Sequence, residues 1–145
     1  TSRSNARRAM ERLLGLRTLP IVNENDTVAT QEIRFGDNDR LGALVAQLVG
    51  ADALVLLSDV ESLYTRPPSD PAAEPLDVVA AGADLSGLEF GATVVNGVGT
   101  GGAATKVSAA RLAAASGIGV LVTSADLVAE ALSGAEIGTW FEPAV

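Results

Sequence analysis

The stretch Gly97–Lys106 reads GVGTGGAATK and opens an alanine-rich segment with helical character, predicted over Lys106–Ser116. Glycines ahead of a helix let backbone N–H groups approach an anion closely, because no Cβ stands in the way. The helix start adds unsatisfied donors and partial positive charge, and Lys106 adds a full charge. A lysine in the first turn opposes the helix dipole at a cost of ~0.3–1 kcal/mol when exposed, and a bound polyphosphate would reverse that sign. A glycine-rich surface loop before an ordinary helix, with Lys106 solvated, fits these residues equally well. The segment is not a Walker P-loop: the glycine spacing differs, and Val107 follows the lysine where Ser or Thr is required.

The chain has 145 residues, 48% apolar and 19% charged, enough for one domain with its own core. Aromatic residues make up only 3%, so the interior is built from Ala, Val, Leu and Ile. That composition suits helices packed tightly on a parallel sheet, an α/β fold. A net charge of −8 with ten Lys and Arg argues against nucleic acid as a partner. The six basic residues before Asp37 read as a solvated helix face. No apolar run reaches the ~18 residues of a membrane span, no signal peptide is visible, and the absence of cysteine fits a cytoplasmic setting. Histidine is absent as well. The chain therefore supplies no Ser-His triad, thiol nucleophile or imidazole-rich zinc site. Carboxylate, lysine and backbone chemistry remain, and these suit phosphoryl transfer, where catalysis is mainly positioning and charge neutralisation.

Moving outward from the glycine stretch, Ser2–Leu14 predicts a helix stopped at Gly15, and Leu19–Val22 a short buried strand delivering Asn23, Glu24, Asn25 and Asp26 at its end. Thr27–Phe35 predicts extended or hairpin structure. Gly36–Asp39 (GDND) leads into a helix with Leu41, Leu44, Val45, Leu48 and Val49 on one face and Gly50 as its stop. Ala53–Leu57 is a continuous apolar strand ending at Ser58 and Asp59. Four prolines between Pro67 and Pro75 mark a surface excursion, and Leu76–Val95 carries no pattern that assigns an element. After the glycine stretch and its helix, Gly117 stops the chain's turn. Ile118–Thr123 is a buried strand, Ser124 caps a helix carrying Leu127, Val128, Ala131 and Leu132, and Ile137–Phe141 is a last strand.

The polar clusters Asn23–Asp26, Asp37–Asp39 and Ser58–Asp59 fall where strands or turns end, and the glycine stretch falls where a helix starts. In open α/β sheets that is the ligand-binding edge. Each cluster also has a plainer explanation: Asp37 or Asn38 as a helix cap, Asn23–Asp26 as an Asx-rich turn, Asp59 as the start of a turn. Their placement on one edge favours a site.

Together, PIVNENDTVATQEI at Pro20–Ile33, GDNDRLGALVAQLVGAD at Gly36–Asp52, LLSDVESLYT at Leu56–Thr65 and GTGGAATK at Gly99–Lys106 resemble the glutamate 5-kinase family of the amino acid kinase superfamily. The resemblance implies a three-layer αβα sandwich around a mainly parallel sheet. It implies transfer of the ATP γ-phosphoryl group to the side-chain carboxylate of L-glutamate, the first step of proline synthesis. ATP and Mg²⁺ are implied with it, as are proline as a feedback inhibitor and a homo-oligomer. On this reading Asn23, Asp26 and Asn38 hold glutamate, and Asp37 and Asp39 organise the catalytic lysines and the metal-bound phosphates. Ser58 and Asp59, with Thr100, Gly101, Gly102, Ala103, Ala104, Thr105 and Lys106, contact ATP, and Lys106 stabilises the moving phosphoryl group. The metal ligands are not assigned. Ser58 stands where the family more often has Thr.

The family's N-terminal strand with its lysine-bearing glycine turn, and a second glycine-containing substrate loop, are not present before Thr1. The chain thus reads as the C-terminal, ATP-binding part of the kinase domain over 1–145, without a second domain, and inactive by itself. A catalytically silent nucleotide- or amino-acid-binding module, or a kinase of the same superfamily with another acceptor, are the competing expectations.

Overall fold

The computed structural model describes residues 1–24, 37–88 and 102–145. Helix α1 (Ser2–Gly15) begins at Thr1, whose hydroxyl accepts the Ser4 N–H at 3.4 Å. It does not end as its glycine suggests. Gly15 is still helical, and the turn is made two residues later by Arg17 in the left-handed region at φ 58°. Arg17 N–H then bonds the Leu14 carbonyl at 2.9 Å and Thr18 N–H the Leu13 carbonyl at 3.2 Å, the paired bonds of a Schellman motif.

The expected strand Leu19–Val22 is not a strand. Its residues carry no sheet pairing, and Leu19 and Ile21 are 87% and 89% exposed. A strand needs a neighbour to take its backbone donors and acceptors, and among the described residues none does so here. The expected extended segment Thr27–Phe35 and the stretch from Gly97 to Gly101 lie outside the described residues.

Two helix-to-strand units form the centre. Helix α2 (Asp37–Val49) leads into β1 (Ala53–Ser58), and α3 (Ala103–Ala115), starting three residues before the predicted Lys106, leads into β3 (Gly119–Ser124). A two-residue β2 (Val78–Val79) lies between the units, too short to leave a pattern in Leu76–Val95. After β3 the expected helix is divided into a single 3₁₀ turn (Ala125–Leu127) and a five-residue α4 (Val128–Leu132). Ser124 makes no side-chain cap bond there, being buried at the end of β3. The last strand, β4, is Thr139–Phe141.

The four strands order β1-β3-β4-β2. β1 and β3 are parallel from Ala53↔Gly119 to Ser58↔Ser124, β2 and β4 are parallel, and β3 meets β4 antiparallel. The fold is therefore α/β with a mixed sheet in which two of the three pairings are parallel. β3 sits between two neighbours and is buried almost throughout, as its unbroken apolar run requires, whereas β1 pairs with β3 alone among the described residues and has Leu57 43% exposed.

α2 and α3 lie side by side over β1 and β3. Small residues allow the close approach: Ala43 and Ala46 from α2 and Ala109, Ala110 and Ala113 from α3 are buried with Leu56, Val120, Val122 and Phe141. Each helix passes into its strand through a short tight turn, at Gly50 and at Gly117, both with positive φ. Each therefore runs antiparallel to its own strand, and the N-termini of α2 and α3 share the sheet edge where β1 and β3 end.

The proline-rich excursion after Asp59 is a closed loop. Leu76 N–H bonds the Leu63 carbonyl at 2.8 Å and Thr65 N–H the Glu74 carbonyl at 2.9 Å. At its tip Asp70 accepts the Ala72 N–H at 2.8 Å, which with Arg66 nearby holds the Asp70 carboxyl below its usual value. The base is tied to the sheet by fully buried Thr139, whose hydroxyl accepts the Leu63 N–H at 2.9 Å and donates to the Leu76 carbonyl at 2.5 Å. Thr139→Val keeps the shape and removes both bonds, leaving a buried N–H without its partner. Denaturant unfolding is expected to show a loss of about 1–3 kcal/mol.

Candidate functional site

The two helices that share the sheet edge also share a contact between their first turns. Asp39, in the first turn of α2, places Oδ2 3.1 Å from Lys106 Nζ on α3, and both side chains are largely buried, at 15% and 13% exposed. Thr105 Oγ lies 3.0 Å from the same Oδ2 and 2.9 Å from the Gly102 carbonyl. At the far end of the pair, Gln47 Nε2 donates to the Leu112 carbonyl at 3.2 Å and to Ser116 Oγ at 2.8 Å. The helices thus run parallel and are pinned at both ends.

This arrangement accounts for Lys106 in an unfavourable part of its helix. The ammonium opposes the α3 dipole, and the Asp39 carboxylate, brought from another helix, offsets it. In so sheltered a place the two charges attract more strongly than in open solvent but also lose hydration, and the costly change is removal of one partner alone. Lys106 is also the only lysine in the chain. Among the described residues its ammonium bonds Asp39 alone, with one of its three donors.

The start of α3 is equally suited to an anion. Gly102 is the N-cap, makes no side-chain cap bond, and no acidic residue follows in the first turn. Among the described residues no side chain caps the N–H groups of Ala103 and Ala104, in contrast to the Thr1 cap of α1. With a glycine N-cap and two alanines, no bulky side chain obstructs that approach.

The remaining sequence-derived residues divide between contact, proximity and absence. Asn23 and Asn38 line one cleft of about 410 Å³ with Glu24, Val22, Gly42 and Leu54, next to the Asp39 turn. Ser58 ends β1, its hydroxyl donating to Asp59 Oδ1 at 3.2 Å and accepting the Val60 N–H at 3.3 Å. That pair lies on the same sheet edge as the helix starts but makes no hydrogen bond to Asp39, Thr105 or Lys106 among the described residues. Asp37 is the first residue of α2. Asp26, Thr100 and Gly101 lie outside the described residues. Gln47 was not legible as part of this assembly: a single polar residue on an apolar helix gives no sign of the partner it will meet. Among the described residues no group of three or more acidic side chains gathers to ligate a metal, and no helix is long and apolar enough to cross a membrane.

Fold and site together define an α/β protein whose sheet edge combines a glycine-led helix start with a lysine held by a neighbouring carboxylate. The sequence model of the Amino acid kinase family matches residues 1–124, and the chain belongs to that family. It is 69% identical over 141 residues to the glutamate 5-kinase of Clavibacter sepedonicus, covering 97% of this chain and 54% of that protein. It is 65% identical over 144 residues to the glutamate 5-kinase of Leifsonia xyli subsp. xyli, covering 99% and 53%. The chain thus spans about half the length of these curated relatives. Among solved structures it matches the carbamate kinase from Giardia lamblia bound to AMP-PNP with a TM-score of 0.55 at 24% identity, over 70% of this chain and 30% of that one. That likeness concerns the fold.

Asp39→Ala removes the acceptor joining the two first turns and leaves the bond from Gln47 intact. Amide hydrogen exchange is expected to quicken at the start of α2 and α3, while the final turns keep their protection.

Proposed function

We propose that the chain is the ATP-binding part of a glutamate 5-kinase, serving transfer of the ATP γ-phosphoryl group to the side-chain carboxylate of L-glutamate. The products are glutamyl 5-phosphate and ADP, and the reaction opens proline synthesis. The observation that carries this reading is the Asp39–Lys106 bond beside a start of α3 whose N-cap glycine makes no side-chain cap bond: one lysine, held in place, next to first-turn N–H donors. The names of the relatives support the acceptor.

The chemistry asks little of the protein beyond placement. A carboxylate acceptor is ionised at neutral pH, so no general base is needed, and the lack of histidine is consistent with that. The difficulty is the approach of two anions. Gly102, Ala103 and Ala104 would receive phosphate oxygens through their N–H groups, with Thr100 and Gly101 continuing the cradle. Lys106 would neutralise charge on the phosphoryl group in flight. Asp37 and Asp39, at the start of α2, would be the carboxylates nearest the phosphates that carry Mg²⁺, which when bound would supply further charge neutralisation. Ser58 and Asp59, at the end of β1, would meet the nucleotide from the side.

On the acceptor side Asn23 and Asn38, facing one cleft, would take the ammonium and α-carboxylate of glutamate together with Asp26. Asp37 and Asp39 would order Lys106 and the metal-bound phosphates. The same reading carries proline as a feedback inhibitor at or near that cleft, and a homo-oligomer. Because the relatives are about twice as long, the chain alone is expected to turn over little or no substrate.

Hydroxylamine trapping of the acyl phosphate tests this reading, using the chain extended to the length of its relatives. Product that requires both L-glutamate and Mg-ATP, and falls by about 10²–10³ in Lys106→Ala, is the expected result. Product with another acceptor but not glutamate would assign a different kinase of the family. Bound ATP without any product would assign a silent binding module.

A further inference from the structure

The Thr105 hydroxyl has one proton and two acceptors in reach, Asp39 Oδ2 at 3.0 Å and the Gly102 carbonyl at 2.9 Å. The two acceptors are not equivalent. The Gly102 carbonyl already receives the backbone N–H of Thr105 at 3.2 Å, and it is neutral. Oδ2 belongs to a carboxylate, for which a hydroxyl donor forms the stronger, charge-assisted bond. The proton therefore goes to Asp39, and the carbonyl is served by the backbone.

We propose that Thr105 is a positioning residue, acting on Asp39 and not on the nucleotide. Its hydroxyl fixes the carboxylate oxygen that receives Lys106, so that two consecutive residues of α3, Thr105 and Lys106, grip one atom of α2. Two geometric facts make this specific. Both donors converge on Oδ2, so loss of the hydroxyl frees the carboxylate to rotate about its last bond and take Oδ2 away from Lys106. The side chains are also sheltered, so the ammonium would then gain solvent and mobility instead of an alternative fixed partner.

The proposal deepens the kinase reading, because Thr105 otherwise counts only as part of the phosphate cradle. It makes one element of the nucleotide side dependent on the helix that carries Asn38. Anything that shifts the first turn of α2 is then felt at Lys106 through a hydroxyl and an ammonium sharing one oxygen.

The test reads Lys106 directly and does not require turnover. Lys106 is the only lysine in the chain, so acylation by an amine-selective ester, followed by mass spectrometry of the peptide that contains it, reports one side chain. Thr105→Val is expected to raise the acylation rate about threefold or more. Thr105→Ser, which restores the hydroxyl and lacks the methyl, is expected to return it to within about twofold of the original. In an Asp39→Ala background Thr105→Val is expected to add nothing, because the hydroxyl acts only through that carboxylate. An unchanged rate in Thr105→Val, a Ser variant as fast as the Val variant, or full additivity with Asp39→Ala would each overturn the proposal. Circular dichroism of each variant confirms that the helices are retained, and the Ser variant keeps the test decisive if Val disturbs packing. In the kinase-competent protein the same change is expected to lower kcat about tenfold with the KM for ATP within about threefold. A raised KM for ATP with kcat intact would instead make Thr105 a direct ligand of the nucleotide. Failure of the kinase reading shows separately, as absence of acyl phosphate from the unaltered protein.

Discussion

The rest of this site depends on one carboxylate oxygen. Asp39 Oδ2 receives an ammonium and a hydroxyl from adjacent residues of a different helix, and by doing so keeps a lysine where its own helix dipole disfavours it. A lysine left to itself at the start of α3 would extend into solvent. Held by Asp39, it stays at the helix start that Gly102, Ala103 and Ala104 form, and the two features become one surface, the one the proposed function assigns to phosphate. The constraint is reciprocal: the position of the first turn of α2, with Asn38 on it, is set by the same bond.

That contact is possible only because the helices lie close and parallel. Alanines at 43, 46, 109, 110 and 113 remove the side-chain volume that would separate them, and Gln47 fixes the other end of the pair. The sheet beneath sets their direction, since β1 and β3 are parallel and each follows its own helix through a short turn. Ordinary backbone geometry thus brings both helix starts to the edge where the strands end, and Asp39 of α2 with Thr105 and Lys106 of α3 completes the arrangement. The scarcity of aromatic residues follows from the same need: large rings between α2 and α3 would widen the gap that Asp39 and Lys106 must bridge.

Much of this was legible in the residues. Unbroken apolar runs gave β1 and β3, the heptad-like spacing from Leu41 to Val49 gave α2, and glycine before an alanine-rich stretch marked the start of α3. The oddly placed lysine reads in the sequence as a mark of bound polyphosphate, whereas in this structure its charge partner is the Asp39 carboxylate. What escaped the sequence depends on partners distant along the chain. Leu19–Val22 is apolar enough for a buried strand, yet strand formation needs a neighbour, and its side chains are exposed. Arg17 adopts the left-handed turn that Gly15 seemed to offer, because the Schellman bonds close two residues later. Thr139 and Gln47 are single polar residues in apolar surroundings, with no spacing that reveals what they will bond. The sharing of Oδ2 by Thr105 and Lys106 was likewise invisible, since consecutive residues on a helix are not expected to meet at one atom.

The measurement that bears most directly on this account is a double-mutant cycle for Asp39→Ala and Lys106→Ala, read from denaturant unfolding at equilibrium. If the carboxylate holds the lysine as described, the two changes together cost less than their sum, with a coupling of about 1–3 kcal/mol. Simple additivity would mean that the two side chains are neighbours without mutual dependence, and the site would lose the constraint on which it is built.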